Sequence, residues 1–352
     1  MTKGAMKCLT IYVIIATLVC GLIVHFTPKN KNKKDQIEFS VKSQQKIECN
    51  GLRDTVTLKS KVKVIGTARD SNSTCDFPIC GLNSNLGPPK LIAAEKSCSD
   101  NIESCVTILC KTHNRLPLVK RMIESAWRLY PKIKTIVVDD ENNGVKTNLL
   151  WQNFLLSHHK KVCYTQLDDW TGIGLGRNFG LQLIKTKYFL SIDDDFIFPE
   201  QRTLEKLVLV LENTDAAIAG SNTASVSTVF EVKFNREANQ TILSQTLKAV
   251  YEKIPCFNNC YTLDMVGNGF LAKTSDIIDI NGWDGQQKIQ ENVDFFIRLK
   301  LAGKKVVTCL DIEFKHVRPN HNSLRKKTAK DENDYKNMWL IKWGLNRTEF
   351  VI

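Results

Sequence analysis

Three adjacent carboxylates, Asp193 to Asp195, interrupt an otherwise apolar part of the chain. The residues before them, Tyr188–Ile192, are largely apolar, and apolar residues resume at Phe196. Short runs with few charges are typical of buried strands. Like charges at the end of such a strand repel each other and lose hydration, at a cost of roughly several kcal/mol. A divalent cation would offset that cost, so the triplet predicts a metal site.

The arrangement of the triplet suggests which oxygens would bind the cation. Side chains alternate along an extended chain, so Asp193 and Asp195 share one side and Asp194 points away. Two carboxylates and the oxygens of a substrate phosphate suit Mg²⁺ or Mn²⁺, which prefer oxygen ligands. The metal would bridge a diphosphate and offset its charge as it leaves. The alternatives are an exposed acidic turn or a cap for the helix that follows. His316 is the candidate third metal ligand, or else a packing residue.

A glycine-rich segment, Trp170–Gly180, precedes and opens a predicted helix. Free N–H groups and the helix dipole at such a start could receive a phosphate. The segment is not a Rossmann fingerprint, because Arg177 occupies the third glycine position, and it lacks the Gly-Lys-Ser/Thr of a P-loop. Arg177 and Asn178 indicate nucleotide contact. The alternative is a loop whose backbone needs positive φ.

Two further pairs of residues could contact a nucleotide or a sugar. Asp139 and Asp140 end a predicted strand and could accept hydrogen bonds from a uracil N–H or from ribose hydroxyls, or could simply be turn acids. Trp283 and Asp284, in the sequence Gly-Trp-Asp-Gly, could hold an acceptor sugar by stacking and hydrogen bonding. A tryptophan of the core is the alternative interpretation of Trp283.

Another pair of acids could do proton chemistry. Glu291 and Asp294 are three residues apart at a predicted helix start and therefore lie on one face. A carboxylate whose pKa is raised in a closed site could take the proton of an attacking hydroxyl. Acids in the first turn also complement the helix dipole, so capping is the alternative role.

Strands and helices alternate from about residue 104 onward, which predicts an α/β fold with a mostly parallel sheet and flanking helices. The predicted strands are 105–111, 134–138, 162–167, 188–192, 216–221, 270–273 and 305–309. The predicted helices are 116–130, 148–157, 175–184, 204–211 and 293–301. Ligands of such sheets bind at the carboxyl ends of the strands. His113, Asn114, Arg115 and the acids at 139, 140 and 193–195 all fall there.

The N-terminal region predicts a membrane anchor. Residues 8–27 contain no acid, lysine or arginine and would span roughly 30 Å as a helix. We expect a cytoplasmic tail (1–7), an uncleaved transmembrane helix (8–27), a flexible stem (28–50), a small luminal extension (51–103), a catalytic domain (104–325) and a C-terminal tail (326–352).

Other features favour a luminal location for the body of the chain. Glycosylation acceptors occur at Asn72, Asn239 and Asn346. Ten of the twelve cysteines lie beyond the apolar segment, a number that fits disulfides and an oxidising compartment. The formal net charge of +12 arises from dispersed lysines, which does not favour nucleic-acid binding.

Together these motifs resemble a GT-A glycosyltransferase catalytic domain, with a Rossmann-like sheet, and within it the metazoan β-1,4-N-acetylgalactosaminyltransferase family of ganglioside and Sda type. The resemblance runs from Val106 to His316. Its carriers are VTILCKTHNR (106–115), TIVVDDE (135–141), GLGRNFGL (174–181), TKYFLSIDDDFIF (186–198), GFLAKTSDI (269–277) and FKHVRP (314–319). The resemblance implies an inverting reaction, a UDP-sugar donor, Mn²⁺ (or Mg²⁺) and a type II anchor in the Golgi membrane.

The resemblance also implies roles for individual residues. Asp193 to Asp195 would be the metal-binding DxD motif, with Asp193 and Asp194 also near the nucleotide sugar, and His316 a later metal ligand. Asp139 and Asp140 would meet the uridine, and Arg177 and Asn178 the diphosphate. Asp294 would be the general base. Related enzymes have Glu-Asp where this chain has Glu291-Asn292, so the base stays open between Glu291 and Asp294.

The sequence therefore predicts a transferase that moves a sugar, N-acetylgalactosamine in the first instance, to a glycan or glycolipid hydroxyl in the Golgi lumen. The alternative is a catalytically inactive GT-A domain that binds glycans or acts as a luminal scaffold.

Overall fold

The computed structural model describes residues 24–26, 37–49, 52–64, 98, 101–140, 149–168, 170–222, 228–247, 252–317 and 331–351. These residues fall into two compact units. The smaller unit is an antiparallel sheet in the order β1-β2-β3, formed by β1 (Val24–Phe26), β2 (Ile37–Cys49) and β3 (Leu52–Val64).

The smaller unit differs from the expectation for the stem. Residues 28–50 are expected to lack regular structure, whereas 37–49 form a strand. Its first residues alternate apolar and polar (Ile37, Phe39 and Val41 against Glu38, Ser40 and Lys42), which is the period of a strand. Of the predicted anchor, only Val24–Phe26 is described, as a strand, and the rest of 8–27 lies outside the described residues. No helix among the described residues is long and apolar enough to span a membrane.

The larger unit, from Cys98 onward, contains the predicted alternation. Its strands are β4 (Val106–Thr112), β5 (Lys134–Asp139), β6 (Val162–Gln166), β7 (Tyr188–Ser191), β8 (Phe196–Ile197), β9 (Ala216–Ser221), β10 (Thr228–Asn235), β11 (Gln240–Leu247), β12 (Glu252–Lys253), β13 (Cys260–Leu263), β14 (Phe270–Lys273), β15 (Lys305–Cys309), β16 (Lys315–His316) and β17 (Arg347–Val351). Its helices are α1 (Ile102–Cys105), α2 (Leu116–Trp127), α3 (Leu149–Ser157), α4 (Ile173–Leu183), α5 (Leu204–Asn213), α6 (Thr274–Asp279), α7 (Glu291–Leu301) and α8 (Glu332–Lys342).

Nine of the described strands form the central sheet, in the order β12-β13-β15-β9-β14-β7-β4-β5-β6. Their pairings leave seven strands running in one direction and only β13 and β14 in the other. The prediction of an α/β fold with a mostly parallel sheet is therefore confirmed. The strands of this sheet are nearly continuous buried runs, as β7 and β9 show, because helices pack against them.

Sheet topology brings the polar residues to one edge. Parallel strands β4, β5 and β7 end there, so the residues after Thr112, Asp139 and Ser191 are neighbours. Strand β14 runs the opposite way and contributes the residues before its start, because Phe270 pairs with Ser191. A short antiparallel pair, β8 with β16, places His316 opposite Phe196.

Disulfides join described cysteines in the larger unit, in line with the cysteine count. Cys98 pairs with Cys105, and Cys260 with Cys309 across strands β13 and β15. Cys163 is also disulfide-bonded, and Cys110 and Cys256 are free thiols.

The C-terminal segment, expected to be a tail, belongs to the same compact unit. Helix α8 buries Trp339 and Leu340, and β17 pairs in parallel with β11. With β10 these strands form a separate three-stranded sheet that the sequence analysis did not identify.

Candidate active site

The middle acid of the triplet is fully buried and held by protein groups. Asp194 has 0% exposure. Thr112 Oγ1 donates to its Oδ2 at 2.5 Å, Arg115 Nε donates to the same oxygen at 2.9 Å, and Arg115 Nη2 lies 2.5 Å from Oδ1. Burial raises the pKa of Asp194 to about 7, although Arg115 and Thr112 oppose the shift. Asp194 is thus an inward anchor, which does not fit direct contact with a nucleotide sugar.

The first acid of the triplet is the most exposed of the three. The side chain of Asp193 is 33% exposed. Asn268 Nδ2 donates to its Oδ2 at 2.9 Å, and Arg177 Nη2 donates to its Oδ1 at 3.3 Å. A carboxylate that is accessible and has one donor on each oxygen can still bind an incoming cation or hydroxyl.

The third acid lies against the predicted histidine. His316 Nε2 and Arg115 Nη1 each lie 3.4 Å from Asp195 Oδ2. The backbone N–H of Val317 donates to the carbonyl of Asp195 at 2.8 Å, which fixes the two segments together. These side-chain contacts are long, so the Asp195 carboxylate retains capacity to bind a metal.

The predicted metal ligands are therefore only partly assembled. Asp195 and His316 are adjacent, but Asp193 is held by Arg177 and Asn268. No cluster of three or more histidine, cysteine or acidic side chains suited to a metal ion occurs in the described part of the chain. The carboxylate oxygens of Asp195 and the imidazole of His316 could supply two ligands to Mn²⁺, and the remaining ligands would have to come from substrate.

Protein side chains, and not only an incoming cation, offset the charge of the triplet. Arg115 contacts Asp194 and Asp195, and Arg177 contacts Asp193. These two guanidinium groups provide much of the compensating charge.

The pair at the end of β5 is buried and fully engaged. Asp139 Oδ1 accepts from the backbone N–H of Asn114 at 3.0 Å, and its Oδ2 accepts from Tyr164 at 2.9 Å. Burial raises the pKa of Asp139, against the effect of these two donors. This geometry does not present its carboxylate to a uridine.

Asp140 is the centre of a second cluster. Its Oδ1 lies 2.5 Å from Lys111 Nζ and 3.0 Å from His113 Nδ1, and its Oδ2 accepts from the N–H of Gly172 at 2.8 Å. Burial alone would raise the pKa of Asp140, but these donors together lower it to about 2. Asp140 therefore organises Lys111 and His113 and does not itself face the nucleotide.

The glycine-rich segment is close-packed against protein, which corrects the prediction of a phosphate cradle at the start of α4. Ile173 N–H donates to Lys288 O at 2.8 Å, and Gly174 N–H donates to Gln287 O at 3.3 Å. A Cβ on Gly174 would collide with the backbone oxygen of Asp284. The glycines allow the loop 284–288 to approach the helix, and that loop occupies N–H groups that a phosphate would need.

Asn178 anchors the same region. Its Nδ2 donates to the carbonyl of Trp283 at 2.6 Å, and its Oδ1 accepts from the N–H of Trp283 at 2.7 Å. Both ends of the amide are used, so Asn178 does not reach a diphosphate.

The predicted acceptor residues are also structural. Trp283 is 2% exposed and stacks on Phe295, with ring centroids 4.6 Å apart. Its core position leaves no ring face for a sugar. Asp284 accepts from Lys342 Nζ at 2.7 Å, and although burial opposes the shift, this lysine keeps the pKa of Asp284 below its ordinary value.

The two candidate bases on α7 have different surroundings. Glu291 Oε1 accepts from Arg177 Nη1 at 2.7 Å, and the same guanidinium reaches Asp193. Burial raises the pKa of Glu291, and Arg177 opposes the shift. Asp294, with 0% exposure, is bound by three donors from Arg298, Lys342 and Trp343. This saturation argues against Asp294 as the base and leaves Glu291.

Sequence reasoning missed the partners that hold the triplet. It places Arg115 at the correct edge without a role, and it does not single out Asn268. A signal for Asn268 existed: it precedes the strand Phe270–Lys273, in a glycine-flanked turn typical of functional loops.

Two predicted glycosylation acceptors are described, and both are exposed. Asn239 lies in the turn between β10 and β11, and Asn346 immediately precedes β17. Asn72 lies outside the described residues.

Comparisons with known proteins show a glycosyltransferase domain to which this chain is similar. Residues 107–268 match the family model "Glycosyl transferase family 2". The human beta-1,4 N-acetylgalactosaminyltransferase 1 is 27% identical over 241 residues, which cover 66% of this chain and 42% of the relative. The mouse beta-1,4 N-acetylgalactosaminyltransferase 2 is 26% identical over 270 residues, or 75% of this chain and 50% of the relative. The chain thus spans half or less of the length of these relatives.

Solved structures show weaker likenesses. The crystal structure of GalNAc-T7 with UDP, GalNAc and Mn²⁺ gives a TM-score of 0.49 at 13% identity, covering 67% of this chain and 50% of that one. The structure of S. aureus TarS in complex with UDP-GlcNAc gives a TM-score of 0.47 at 13% identity, covering 68% and 66%.

The Asp140 cluster predicts a specific loss of stability in acid. Because the folded pKa of Asp140 is about 2, below its unfolded value, its contribution is present above about pH 4 and disappears as the pH falls toward 2. Asp140→Asn should remove roughly 2 kcal/mol of unfolding free energy at pH 6 and make the fall between pH 5 and pH 2 correspondingly shallower. Urea unfolding across this pH range measures both the free energy of unfolding at pH 6 and its dependence on pH.

The control is Asp311→Asn, which removes an exposed ion pair with Lys206 and should change stability by less than about 0.5 kcal/mol. Equal pH profiles for wild type and Asp140→Asn would contradict the interpretation of this cluster.

The packing of loop 284–288 on α4 predicts a position-specific glycine effect. Gly174→Ala should cost about 1–3 kcal/mol of stability, because its Cβ meets backbone that cannot rotate away. Gly285→Ala, whose Cβ would lie 3.5 Å from Leu175, is the matched control and should be nearly neutral. The measurement is the melting temperature of both variants in thermal unfolding. Similar melting temperatures for Gly174→Ala and Gly285→Ala would show that the loop is not packed as described.

Proposed function

With a glycosyl transferase family 2 domain at residues 107–268 as the premise, we propose that this protein is an inverting, metal-dependent transferase that moves a sugar from a UDP-sugar to a glycan or glycolipid hydroxyl. One observation carries the proposal: an accessible acid, a carboxylate–histidine pair and a buried glutamate meet at one edge of the sheet. Arg177 connects the accessible acid with the glutamate, because it contacts both Asp193 and Glu291.

The donor side of the site would be built from Asp193, Asp195 and His316. Asp195 and His316 would hold Mn²⁺, which supplies charge compensation for a departing diphosphate. Asp193 is the accessible carboxylate beside them and suits either the same cation or a hydroxyl of the donor. Lys111, held by Asp140, is positioned near the same strand ends and adds positive charge for an anionic nucleotide. His113, also held by Asp140, adds a ring nitrogen to the same region.

Glu291 would take the proton of the acceptor hydroxyl. Burial raises its pKa toward the range in which a carboxylate is an effective base, and Arg177 keeps the ionised form accessible. An inverting displacement needs the hydroxyl, the anomeric carbon and the leaving oxygen in line. The proposed base on α7 would lie at the hydroxyl end of that line, and the cation site after β7 at the end of the leaving oxygen. One guanidinium, that of Arg177, lies between them.

The identity of the sugar and the compartment are part of the proposal. N-acetylgalactosamine is proposed because the human and mouse relatives carry that name. A Golgi membrane location is proposed from the apolar segment 8–27, supported by the exposed acceptor asparagines and the disulfides.

A catalytically inactive, glycan-binding domain is the second candidate. One observation favours it: the predicted metal ligands do not form one cluster among the described residues. A measurement of turnover with UDP-sugars distinguishes the transferase from the inactive glycan-binding domain.

The first test is a donor screen with the purified full chain. We expect UDP-sugar hydrolysis or transfer that requires Mn²⁺, strongest with UDP-GalNAc. Asp195→Ala and His316→Ala should each lower kcat by about 10²-fold or more, because charge compensation of the leaving group is lost. Asp311→Ala, a surface acid, is the control. Turnover in Asp195→Ala equal to wild type would exclude the metal site, and glycan binding without any turnover would favour the inactive domain.

The second test concerns the base. Glu291→Gln should lower kcat by about 10²- to 10⁴-fold, the usual contribution of a general base, with little change in donor KM. Glu237→Gln makes the same change at an exposed residue of the turn between β10 and β11, and it is the control, expected to match wild type. An active Glu291→Gln enzyme would exclude Glu291 from proton transfer.

A further inference from the structure

One buried acid on the catalytic helix has no role in the chemistry above. Asp294 is fully buried, three residues after Glu291. Its Oδ2 accepts from Arg298 Nε at 2.9 Å, within the same helix. Its Oδ1 lies 2.7 Å from Lys342 Nζ and accepts from Trp343 Nε1 at 2.9 Å. Two of its three donors thus come from the C-terminal segment.

The same lysine reaches a second acid, which is partly buried. Lys342 Nζ also lies 2.7 Å from Asp284 Oδ2. Asp284 begins the loop 284–288, which packs on the start of α4 and hydrogen-bonds to it through Lys288 and Gln287. One ammonium group therefore holds both α7 and the loop that leads into it.

The other end of α8 contacts the residue before Glu291. Gln290 Nε2 donates to Glu332 Oε1 at 2.7 Å. Gln290 has φ +63°, a left-handed conformation that turns the chain into α7. Helix α8 therefore contacts the chain on both sides of Glu291, at position 290 before α7 and at position 294 within it.

The C-terminal segment is itself firmly attached. Trp339, Leu340 and Leu345 are buried. Asn346 exchanges hydrogen bonds with Thr241, and β17 then pairs with β11 along its whole length. Because the segment is fixed on one side to the sheet formed by β10, β11 and β17, it can act as a rigid support for α7 on its other side.

We propose that residues 331–351 are a positioning element of the active site, with Lys342 acting through Asp294 and Asp284 to fix the first turn of α7. The proposal rests on the proposed function, because it assigns the segment the task of orienting Glu291. Asp294 is then the anchor of the catalytic helix, and its burial and three donors are the requirements of an anchor.

The physical consequence of losing Lys342 is local. Asp294 would keep Arg298 and the indole, so the helix would persist, but the links to loop 284–288 and to α8 would weaken. Glu291 would no longer be held in one orientation toward Arg177. Small displacements of a catalytic group can cost about 10²-fold in rate, and a donor subsite formed mainly by β7, β8 and β16 would be unaffected.

The test compares Lys342→Met with Lys342→Arg in the full chain. Lys336→Met is the matched control, since Lys336 lies on the same helix and contacts no described residue through an ion pair or hydrogen bond. We expect Lys342→Met to lower kcat by about 10- to 100-fold with donor KM changed less than about threefold. Lys342→Arg should recover most of the activity, and Lys336→Met should match wild type. Equal kcat in Lys342→Met and Lys336→Met would overturn the proposal.

A double-mutant cycle tests whether Lys342 acts through Asp294. If Lys342 acts through Asp294, then Asp294→Asn/Lys342→Met should lower kcat by clearly less than the product of the two single-variant factors, and any loss beyond that of Asp294→Asn is due to the contact of Lys342 with Asp284. If the effects of the two substitutions on kcat simply multiply, the two residues act independently and the proposal is overturned. Trp343→Phe, which removes one donor to Asp294 and keeps an aromatic ring, provides a milder variant should Lys342→Met fold poorly, and a kcat equal to wild type would count against the proposal.

Hydrogen exchange makes the outcome independent of turnover. Amide exchange across 290–296 should be faster in Lys342→Met than in Lys336→Met, while β4 and β7 stay protected. If wild type has no transferase activity, the proposed function fails, and this measurement still decides whether the segment supports α7. Unchanged exchange there would overturn the support itself.

Discussion

The pairing of three adjacent carboxylates with two arginines is the interaction on which this edge of the sheet depends. Asp194 could not be fully buried without Arg115, whose guanidinium reaches both of its oxygens and extends to Asp195. An unpaired buried carboxylate would be protonated or would destabilise the fold. Arginine suits this place because its fixed fork can contact two acids while it stays charged. The triplet is thus part of the folded structure even before any ligand binds.

The second arginine connects this charge balance to the chemistry. Arg177 projects from α4 and is buried between Asp193 and Glu291, so its position is decided by helix packing. Helix α4 in turn can approach only because glycines line its first turns, where loop 284–288 and the side chain of Lys111 would otherwise collide with a Cβ. Backbone packing of these glycines therefore determines the distance between the cation side of the site and the proposed base.

Local patterns in the sequence were sufficient to predict most strands of the central sheet. They were insufficient to predict the side-chain contacts at its edge. Strands at 216–221, 270–273 and 305–309 have the predicted bounds, because buried apolar runs between turns are a local signal. Strand ends also predicted correctly which acids share an edge. The three-stranded sheet β10-β11-β17 was not predicted, because β17 pairs with β11, about a hundred residues away in the sequence. Arg115 with Asp194 and Arg177 with Glu291 are likewise distant in sequence, so their pairing has no local signal.

Residue type also left the roles of buried side chains undecided. Trp283 in Gly-Trp-Asp-Gly fits a sugar platform and a core residue equally well, and only its stacking on Phe295 distinguishes them. Asn178 looks like a polar ligand of a nucleotide, yet its amide is satisfied by the backbone of Trp283. In both cases the deciding property is saturation of the side chain's contacts by the protein, which depends on tertiary packing.

Saturation also explains why two acids one turn apart on α7 have different tasks. Asp294 faces three donors from two segments, so its charge is committed to holding α7 in place. Glu291 faces one arginine that it shares with Asp193, so its charge is coupled to whatever binds at the acid triplet. A ligand that draws Arg177 toward its own negative charge would weaken the support of the ionised Glu291 and make that carboxylate a stronger base. Donor binding and proton removal would then be linked through a single guanidinium, provided that α7 itself does not move.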